Sequence, residues 1–295
     1  MGQPVIQLQN FTKIYGMGIR AVAGAKDINI TVHKGQCVGF VGPNGAGKST
    51  TIRAIMGLLS PTSGTLNVMG ASTFDELAKV RQHIGYLPSE VNLYGNLTGK
   101  QVLYYAADLK KVDRAAIYPL AERLHLDLSK KVNSYSLGNR KKVALINVLL
   151  NDPELIILDE PTSGLDPVMQ QIFFALLREA HTRGATIFLS SHNLQEIERF
   201  CDTVTVIKDA MIVADGPLKS IIGENRKEVV LEFEAEPREL TLAGIANFKT
   251  QGNKVKFDYE GDINVLVTHL ANHKFKDIRI HNWTLEQVIR HYYEI

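Results

Sequence analysis

The chain has 295 residues, of which 45% are hydrophobic and 22% are charged, and this composition is typical of a soluble globular protein with about two domains. The 33 basic and 31 acidic residues leave a net charge of +2 with no dense basic block, so nucleic-acid binding through bulk charge is not indicated. The 2 cysteines are too few for a disulfide framework and fit core packing in a reducing cytosol, and no apolar run reaches the roughly 18 residues of a membrane-spanning helix.

The most informative motif lies at residues 42–49, whose sequence is Gly-Pro-Asn-Gly-Ala-Gly-Lys-Ser. This sequence matches the pattern of a phosphate-binding loop. The apolar run Cys37–Val41 predicts a buried strand before the loop, and apolar residues at helical spacing from 52 to 59 predict a helix after it. The loop therefore has the strand and helix context that the motif needs, which an ordinary glycine turn would not require. The rest of residues 1–85 is expected to form short strands and turns.

Each residue type in this loop has a chemical reason to be there. The glycines allow backbone N–H groups to converge on phosphate oxygens, and the following helix points its positive dipole end at them. Lys48 is expected to reach the outer phosphates and so to take part in catalysis, and the Ser49 hydroxyl is expected to bind Mg²⁺. The residues predicted to bind the nucleotide here are Gly42, Pro43, Asn44, Gly45, Ala46, Gly47, Lys48, Ser49 and Thr50.

The span from about 90 to 137 differs in pattern from its surroundings and is predicted to be a mostly helical insertion. Thr98 and Gln101 form a capping-box pattern at the start of its first helix. Pro119 lies inside the second helical pattern and is expected to limit the extent of that helix. The apolar faces predicted from the spacing are Val102, Tyr105, Ala106 and Leu109 in the first helix, and Ile117, Leu120, Ala121 and Leu124 in the second.

An apolar strand pattern at residues 155–158 ends in two carboxylates, Asp159 and Glu160. Continuous apolar runs are typical of buried parallel strands, and ligands bind where such strands end. Asp159 is therefore expected to hold Mg²⁺, directly or through water, and Glu160 to orient the water that attacks the outer phosphate. The alternative is a strand that ends in a solvated acidic turn. Residues 186–190 and 203–207 are two further strand candidates.

The tail, residues 226–295, is predicted to be a small accessory α+β domain, and the polar residues 223–226 resemble a linker. Two stretches alternate apolar and charged residues, as half-buried strands do, and two helix faces follow. The apolar residues of these four elements are Leu231 and Phe233; Val255, Phe257 and Tyr259; Ile263, Leu266, Val267 and Leu270; and Leu285, Val288, Ile289 and Tyr292. The tail has no catalytic motif, so a stabilising role is expected, with regulation or partner contact as alternatives.

The order and spacing of the motifs resemble those of the ATPase subunit of ABC transporters, over residues 5 to about 222. Residues 163–166, Ser-Gly-Leu-Asp, are similar to the family's dimer-contact loop, which makes Asp166 a catalytic candidate. Residues 190–192, Ser-Ser-His, are similar to the segment that carries the family's switch histidine, which makes His192 another. Asp166 could instead begin the next helix, and His192 could cap one.

Tyr15 is similar to the aromatic residue that stacks on adenine in this family, although it could simply pack at a sheet edge. Residues 135–140, Tyr-Ser-Leu-Gly-Asn-Arg, stand in the place of the family's signature sequence, Leu-Ser-Gly-Gly-Gln. The resemblance implies that Ser136 and Gly138 bind the outer phosphate of an ATP molecule held by the opposite subunit. Leu137 departs from the family pattern, and a leucine adopts positive φ far less readily than a glycine.

A second departure is Ser89, which stands where the family has a metal-sensing Gln. A serine side chain is too short for the same reach, so Glu90 or a bridging water is expected to approach the metal instead. Some bacterial export-type members of the family share this variation, which favours export.

The resemblance implies an α/β fold: a P-loop NTPase (RecA-like) core sheet with the helical insertion, forming an ABC ATPase domain over residues 1–225. It implies ATP and Mg²⁺ as ligands, a homodimer or heterodimer of ATPase subunits, and transmembrane permease subunits at the cytoplasmic face of the cell membrane. Export of peptides, drugs or other amphipathic cargo is expected, and no nucleic acid. One alternative is a soluble ABC-type ATPase that acts on ribosomes or nucleic acid, and another is a P-loop kinase.

Overall fold

The computed structural model describes residues 2–16, 18, 21–72, 74–223, 225–234 and 240–294. The chain divides into two compact units, Met1–Asp215 and Gly216–Ile295. The first unit contains these strands and helices, in chain order: β1 (Pro4–Tyr15), β2 (Val22–His33), β3 (Cys37–Val41), α1 (Lys48–Ile55), β4 (Ser63–Val68), α2 (Phe74–Val80), β5 (Ile84–Leu87), α3 (Gly99–Lys110), α4 (Ile117–Arg123), α5 (Leu137–Leu149), β6 (Leu155–Asp159), α6 (Pro167–Thr182), β7 (Thr186–Ser190), α7 (Leu194–Phe200), β8 (Thr203–Lys208) and β9 (Met211–Pro217).

The core of the first unit is a six-stranded sheet in the order β5-β6-β7-β3-β8-β9. Strand β3 pairs in parallel with β7 and β8, and β6 pairs in parallel with β5 and β7. Every residue of β3, β6 and β7 is buried, because both faces of this sheet are covered. The prediction of buried parallel strands at residues 155–158 and 186–190 is therefore confirmed.

A second, antiparallel sheet of the first unit has the order β2-β1-β4. Its strands β1 and β2 are each 12 residues long, so the expectation of only short strands in this region was wrong. Register shifts interrupt the pairing of the two strands, for example between Leu8 and Phe11. A shift of this kind breaks the strict alternation of apolar and polar residues by which a long strand is recognised.

The region between β5 and β6 is helical, with the short 3₁₀ turns Arg114–Ala116 and Val132–Ser134 beside helices α3, α4 and α5. The predicted capping box begins α3: the Thr98 hydroxyl accepts from the Gln101 N–H at 3.2 Å, and the Gln101 side chain accepts from the Thr98 N–H at 2.9 Å. Pro119 lies in the first turn of α4, where the missing N–H costs no helical hydrogen bond.

The buried face of α3 differs from the predicted one. Val102 is buried as expected, but Tyr105 is 55% exposed and Leu109 is 67% exposed. The helix buries Leu103 and Ala107 instead, and it packs against α5. Helix α3 carries apolar residues around more than half of its circumference, so the tertiary contact with α5 selects which stripe is buried.

The second unit contains, in chain order, α8 (Leu218–Ile222), β10 (Arg226–Phe233), β11 (Ile245–Gln251), β12 (Lys254–Glu260), α9 (Ile263–Leu270), β13 (Phe275–Asn282) and α10 (Leu285–Glu294). Its strands form an antiparallel sheet in the order β11-β12-β10-β13. The alternating apolar residues of β10 and β12 are buried under α9, as the sequence pattern predicts. The predicted face of α9 is partly wrong, because Ile263 and Val267 are exposed while Leu266 and Leu270 are buried.

The domain boundary drawn at residue 225 stays a prediction, since the two compact units divide at Gly216. Of the expected linker, Glu224 lies outside the described residues, Gly223 ends α8 and Arg226 begins β10. Within the described ranges, every helix is too short or too polar to traverse a lipid bilayer. The two cysteines, Cys37 and Cys201, are buried free thiols whose sulfur atoms lie 3.6 Å apart.

Candidate nucleotide-binding site

The phosphate loop connects the end of β3 to the first residue of α1. Gly45 and Gly47 have positive φ angles of 82° and 109°, which favour glycine. A Cβ atom on Gly42 would lie 2.4 Å from the backbone oxygen of Ile207, and one on Gly47 would lie 2.3 Å from that of Gly24. The first turn of α1 has no side-chain cap and no acidic residue. Its free N–H groups and positive dipole end therefore suit an anion.

Lys48 is buried inside this loop, and its ammonium group donates to the backbone oxygens of Gly42 at 2.6 Å and Pro43 at 3.1 Å. Burial lowers the pKa of Lys48, while the carboxylates of Glu160 and Asp159 act in the opposite direction. A cation thus lies at the point where the loop would receive the outer phosphates of a nucleotide.

Ser49 and Asp159 come from different elements and meet beside the loop. The Ser49 hydroxyl donates to Asp159 Oδ2 at 3.0 Å, and the Ser190 hydroxyl donates to Asp159 Oδ1 at 2.6 Å. A hydroxyl and a carboxylate at this distance fit Mg²⁺, which is usually bound through one or two carboxylates together with phosphate oxygens and water. In the described part of the chain, no cluster of three or more His, Cys, Asp or Glu side chains could hold a metal ion by itself. Phosphate oxygens are therefore needed to complete the proposed Mg²⁺ site.

Glu90, the third predicted metal ligand, is exposed just beyond the end of β5, and Ser89 before it is half-buried. Among the described residues, no hydrogen bond joins Glu90 to Ser49 or Asp159. Tyr86 of β5 is half-buried, and burial and then the charge of Asp159 raise its pKa. The role of Glu90 stays a prediction.

Glu160 and His192 form a pair at the ends of β6 and β7. His192 Nδ1 lies 2.5 Å from Glu160 Oε2, and the backbone N–H of His192 donates to the same oxygen at 3.2 Å. The backbone of Glu160 has a left-handed φ of 50°. His192 is not a helix cap, because Asn193 caps α7 by accepting from the Gln195 N–H.

The signature-like segment begins α5. The Ser136 hydroxyl accepts from the Asn139 N–H at 3.3 Å and caps the helix. Leu137 is the first residue of α5 and is not among the residues with positive φ, so the expected backbone cost does not arise. No hydrogen bond of the described residues joins Ser136 or Gly138 to the phosphate loop of the same chain.

Asp166 caps α6, since its carboxylate accepts from the Met169 N–H at 2.9 Å and Pro167 begins the helix. This is the simpler of the two interpretations of Asp166, and it leaves a second role open to test. Tyr15 ends β1 and is partly exposed, with its hydroxyl 3.3 Å from the hydroxyl of Thr50. Its ring lies over Gly24, where a Cβ atom would come within 2.5 Å. The ring thus lies beside the first turn of α1.

Comparison with known proteins identifies the family. Residues 25–163 match the sequence profile described as "ABC transporter". The chain is 36% identical over 216 residues to the ABC transporter ATP-binding protein NatA of Bacillus subtilis, which covers 71% of this chain and 88% of the relative. The chain belongs to the ABC transporter ATP-binding family. It is an ATP-binding subunit that hydrolyses ATP, and the alternative of a soluble machine acting on ribosomes or nucleic acid is not supported.

Further relatives and solved structures agree with this assignment. The bacitracin transport ATP-binding protein BcrA of Bacillus licheniformis is 36% identical, with 78% of this chain and 74% of the relative covered. The Nod factor export ATP-binding protein I of Rhizobium etli is 34% identical, with 81% and 77% covered. A dimeric ATP-binding cassette in a post-hydrolysis state with ADP and Pi superposes with a TM-score of 0.67 at 28% identity, and covers 72% of this chain and 98% of its own.

The structure of this chain also contains two buried charged residues that the sequence analysis did not identify. Glu196 on α7 is buried and accepts hydrogen bonds from Thr162 Oγ1 at 2.9 Å, Ser191 Oγ at 3.1 Å and Asn193 Nδ2 at 3.1 Å. It joins the loop after β6 to the loop after β7. Lys141 on α5 is also buried. A charged residue within a helical stretch is expected from sequence to face solvent, so no local signal predicts that either residue is buried.

Proposed function

We propose that the residues around the phosphate loop bind Mg-ATP and hydrolyse it to drive a membrane transporter. The observation that supports this most directly is the position of four side chains. Lys48 follows β3, Asp159 ends β6 and Glu160 comes directly after it, and His192 follows β7. Strands β6, β7 and β3 are neighbours in the sheet, and parallel strands place their carboxyl ends at one edge. This order of strands supports the proposal that all four groups face the phosphates held by the loop.

The proposed roles follow from the chemistry of each group. The backbone of the loop and the Lys48 ammonium bind the phosphates, and Tyr15 stacks on the adenine. Ser49 and Asp159 hold Mg²⁺, which when bound neutralises charge that develops on the phosphates. Glu160 orients the attacking water, and the short contact with His192 fixes the position of its carboxylate. General acid–base groups of this kind contribute roughly 10²–10⁴-fold to a rate.

The site is proposed to be completed by a second ATPase subunit, identical or related. Ser136 and Gly138 of that subunit lie at a helix start whose backbone N–H groups suit the outer phosphate, and Asp166 lies in the loop that contacts the dimer partner. The dimeric ADP-bound and Pi-bound cassette among the solved structures supports this arrangement. Since ATP binds the closed dimer better than the open one, it shifts the population towards closure, and hydrolysis reverses the shift.

The partners are proposed to be transmembrane permease subunits, which place this chain at the cytoplasmic face of the cell membrane. Relatives named for bacitracin transport and Nod factor export support an exporter of peptides, drugs or other amphipathic cargo. The helical region of α3 and α4 is proposed to transmit the movement, and no nucleic acid takes part.

The central test is the variant Glu160→Gln. We expect phosphate release to fall by about 100-fold or more, while ATP still binds and the ATP-bound dimer becomes long-lived on size-exclusion chromatography. The matched control is Glu122→Gln, an exposed carboxylate of α4, which should hydrolyse ATP normally. Normal hydrolysis by Glu160→Gln would remove Glu160 from its role.

In Lys48→Ala we expect ATP affinity to be lost, and unchanged nucleotide binding would contradict the role of the loop.

A further inference from the structure

Lys141 is a lysine buried without an obvious reason in sequence. It is only 2% exposed, and it lies on α5, five positions beyond the Ser136 cap. Lysine is almost never fully buried unless it has a partner, because removing an ammonium group from water is costly. The partner here is a backbone oxygen of the neighbouring hydrolytic segment: Lys141 Nζ donates to the carbonyl oxygen of Glu160 at 2.8 Å.

The backbone that Lys141 binds is strained. Glu160 has a φ of 50°, a left-handed conformation that residues with side chains adopt uncommonly. Two hydrogen bonds hold this backbone. The Glu160 N–H donates to the backbone oxygen of Ser190 at 3.1 Å, and the Glu160 carbonyl accepts from Lys141. The residue that carries the hydrolytic carboxylate is thus fixed on one side to β7 and on the other to α5.

The charges around the ammonium group explain why it tolerates burial. Burial lowers the pKa of Lys141, while the carboxylates of Glu160, Asp159 and Glu196 oppose that effect. The negative charges that favour the protonated amine thus come from the last residue of β6, from the residue after it and from α7. A neutral side chain of the same size would fill the space but would leave the Glu160 carbonyl without its donor.

The start of α5 also contacts the loop before α6. A Cβ atom on Gly138 would lie 3.1 Å from the backbone oxygen of Gly164, and one on Gly164 would lie 2.8 Å from Leu137 Cδ2. The first turn of α5 therefore packs on this loop, and its second turn binds Glu160. Since a helix rises about 1.5 Å per residue, Ser136 and Lys141 are joined by a rigid segment of roughly 7–8 Å.

We propose that Lys141 is a positioning residue that makes the orientation of Glu160 depend on the position of α5. This rests on the proposed composite site, in which Ser136 of one subunit binds the ATP held by the other. Closure of the Ser136 turn on one nucleotide would move α5, and Lys141 would pass that movement to the Glu160 of its own chain. The orientation of the Glu160 carboxylate at one ATP would then depend on whether the Ser136 turn of the same chain has bound the other ATP.

The experiment compares Lys141→Met with Lys142→Met in the full chain. Lys142 is the next residue of α5 and is only partly buried, so its variant controls for loss of a lysine from the same turn. For Lys141→Met we expect kcat to fall by roughly 10- to 100-fold, as small misplacements of catalytic groups do. The affinity for a fluorescent ATP analogue should change by less than about threefold, and the Hill coefficient for ATP should fall towards 1. Lys142→Met should keep kcat and the Hill coefficient.

A second variant guards against failure to fold. Lys141→Gln keeps a donor on a shorter side chain, and we expect its kcat to lie between those of the parent and the Met variant. The variant Glu160→Gln tests the proposed composite ATP site separately from the positioning role of Lys141. If Glu160→Gln forms no ATP-dependent dimer, the proposed composite site fails. If it forms one, and Lys141→Met hydrolyses ATP with parental kcat and cooperativity, or Lys141→Gln has a kcat no higher than that of Lys141→Met, the role of Lys141 is refuted.

Discussion

Removal of the Glu196 carboxylate should destabilise the first unit and slow hydrolysis together. Glu196 accepts from two buried hydroxyls, those of Thr162 and Ser191, and from the amide of Asn193. In Glu196→Ala the two hydroxyls lose their acceptor in a place where water cannot easily replace it. Each unsatisfied buried group costs about 1–3 kcal/mol, so for the two hydroxyls together we expect a loss of roughly 2–6 kcal/mol.

The corresponding fall in melting temperature is roughly 4–24 °C, since 1 kcal/mol shifts Tm by about 2–4 °C in units of this size. Glu196→Gln keeps the shape and one acceptor oxygen and loses mainly the charge assistance, so its cost should be smaller, about 1–2 kcal/mol. The assay is a calorimetric melt combined with phosphate release at saturating ATP. Glu196 holds both loops that flank the site. We therefore expect kcat to be lowest in Glu196→Ala, intermediate in Glu196→Gln and highest in the parent.

The control is Glu122→Ala, which removes an exposed carboxylate from α4 and should change stability by no more than about 0.5 kcal/mol. If Glu196→Ala melts within about 2 °C of the parent, the loss of stability is no more than roughly 0.5–1 kcal/mol. The buried network would then not stabilise the fold, and the prediction would be wrong. If stability falls but kcat is unchanged, Glu196 is structural and does not hold the catalytic loops.

Two further predictions concern the phosphate loop and the helical region. Gly47→Ala should abolish ATP binding in a nucleotide titration, whereas Gly184→Ala should retain it, because both glycines have positive φ but only Gly47 has a backbone oxygen 2.3 Å from the added Cβ. For Lys110, burial lowers the pKa to about 8 from 10.5, so between these values the unfolded chain binds more protons and stability rises with pH. Urea titrations should therefore show the stability of Lys110→Met relative to the parent falling from pH 7 to 9, by at most about 1.4 kcal/mol per unit; a constant difference would contradict the shift.

Local signals in the sequence predicted the parts of the site that depend on local structure. The run Cys37–Val41 and residues 155–158 are fully apolar, and such runs form buried strands wherever both faces of a sheet are covered. The glycine spacing of the loop follows from its positive φ angles and close backbone contacts. These features need no knowledge of distant residues. The grouping of Lys48 with Asp159 and Glu160 was predicted instead from the order and spacing of motifs that resemble those of the family.

Features that depend on a tertiary partner were not predictable. Tyr105 and Leu109 belong to one apolar stripe of α3 and Leu103 and Ala107 to another, and only the contact with α5 selects the second. Lys141 has the spacing of an ordinary helical lysine, and its burial follows from a carbonyl oxygen on a segment that is 19 positions away in sequence. In each case the deciding atom lies on another element.

The departure at Leu137 illustrates how the chain accommodates a change in a shared motif. A leucine at this position needs no positive φ, because it forms the first turn of a helix that Ser136 already caps. Its side chain instead occupies space against Gly164, where a Cβ atom would lie 2.8 Å from Leu137 Cδ2. Gly164 itself has a φ of 80°, and this left-handed backbone is what favours glycine there. The contact between α5 and the loop before α6 is therefore made by a large residue on the helix and a small one on the loop. Ser136 and Gly138 keep the polar groups that the proposed composite ATP site requires.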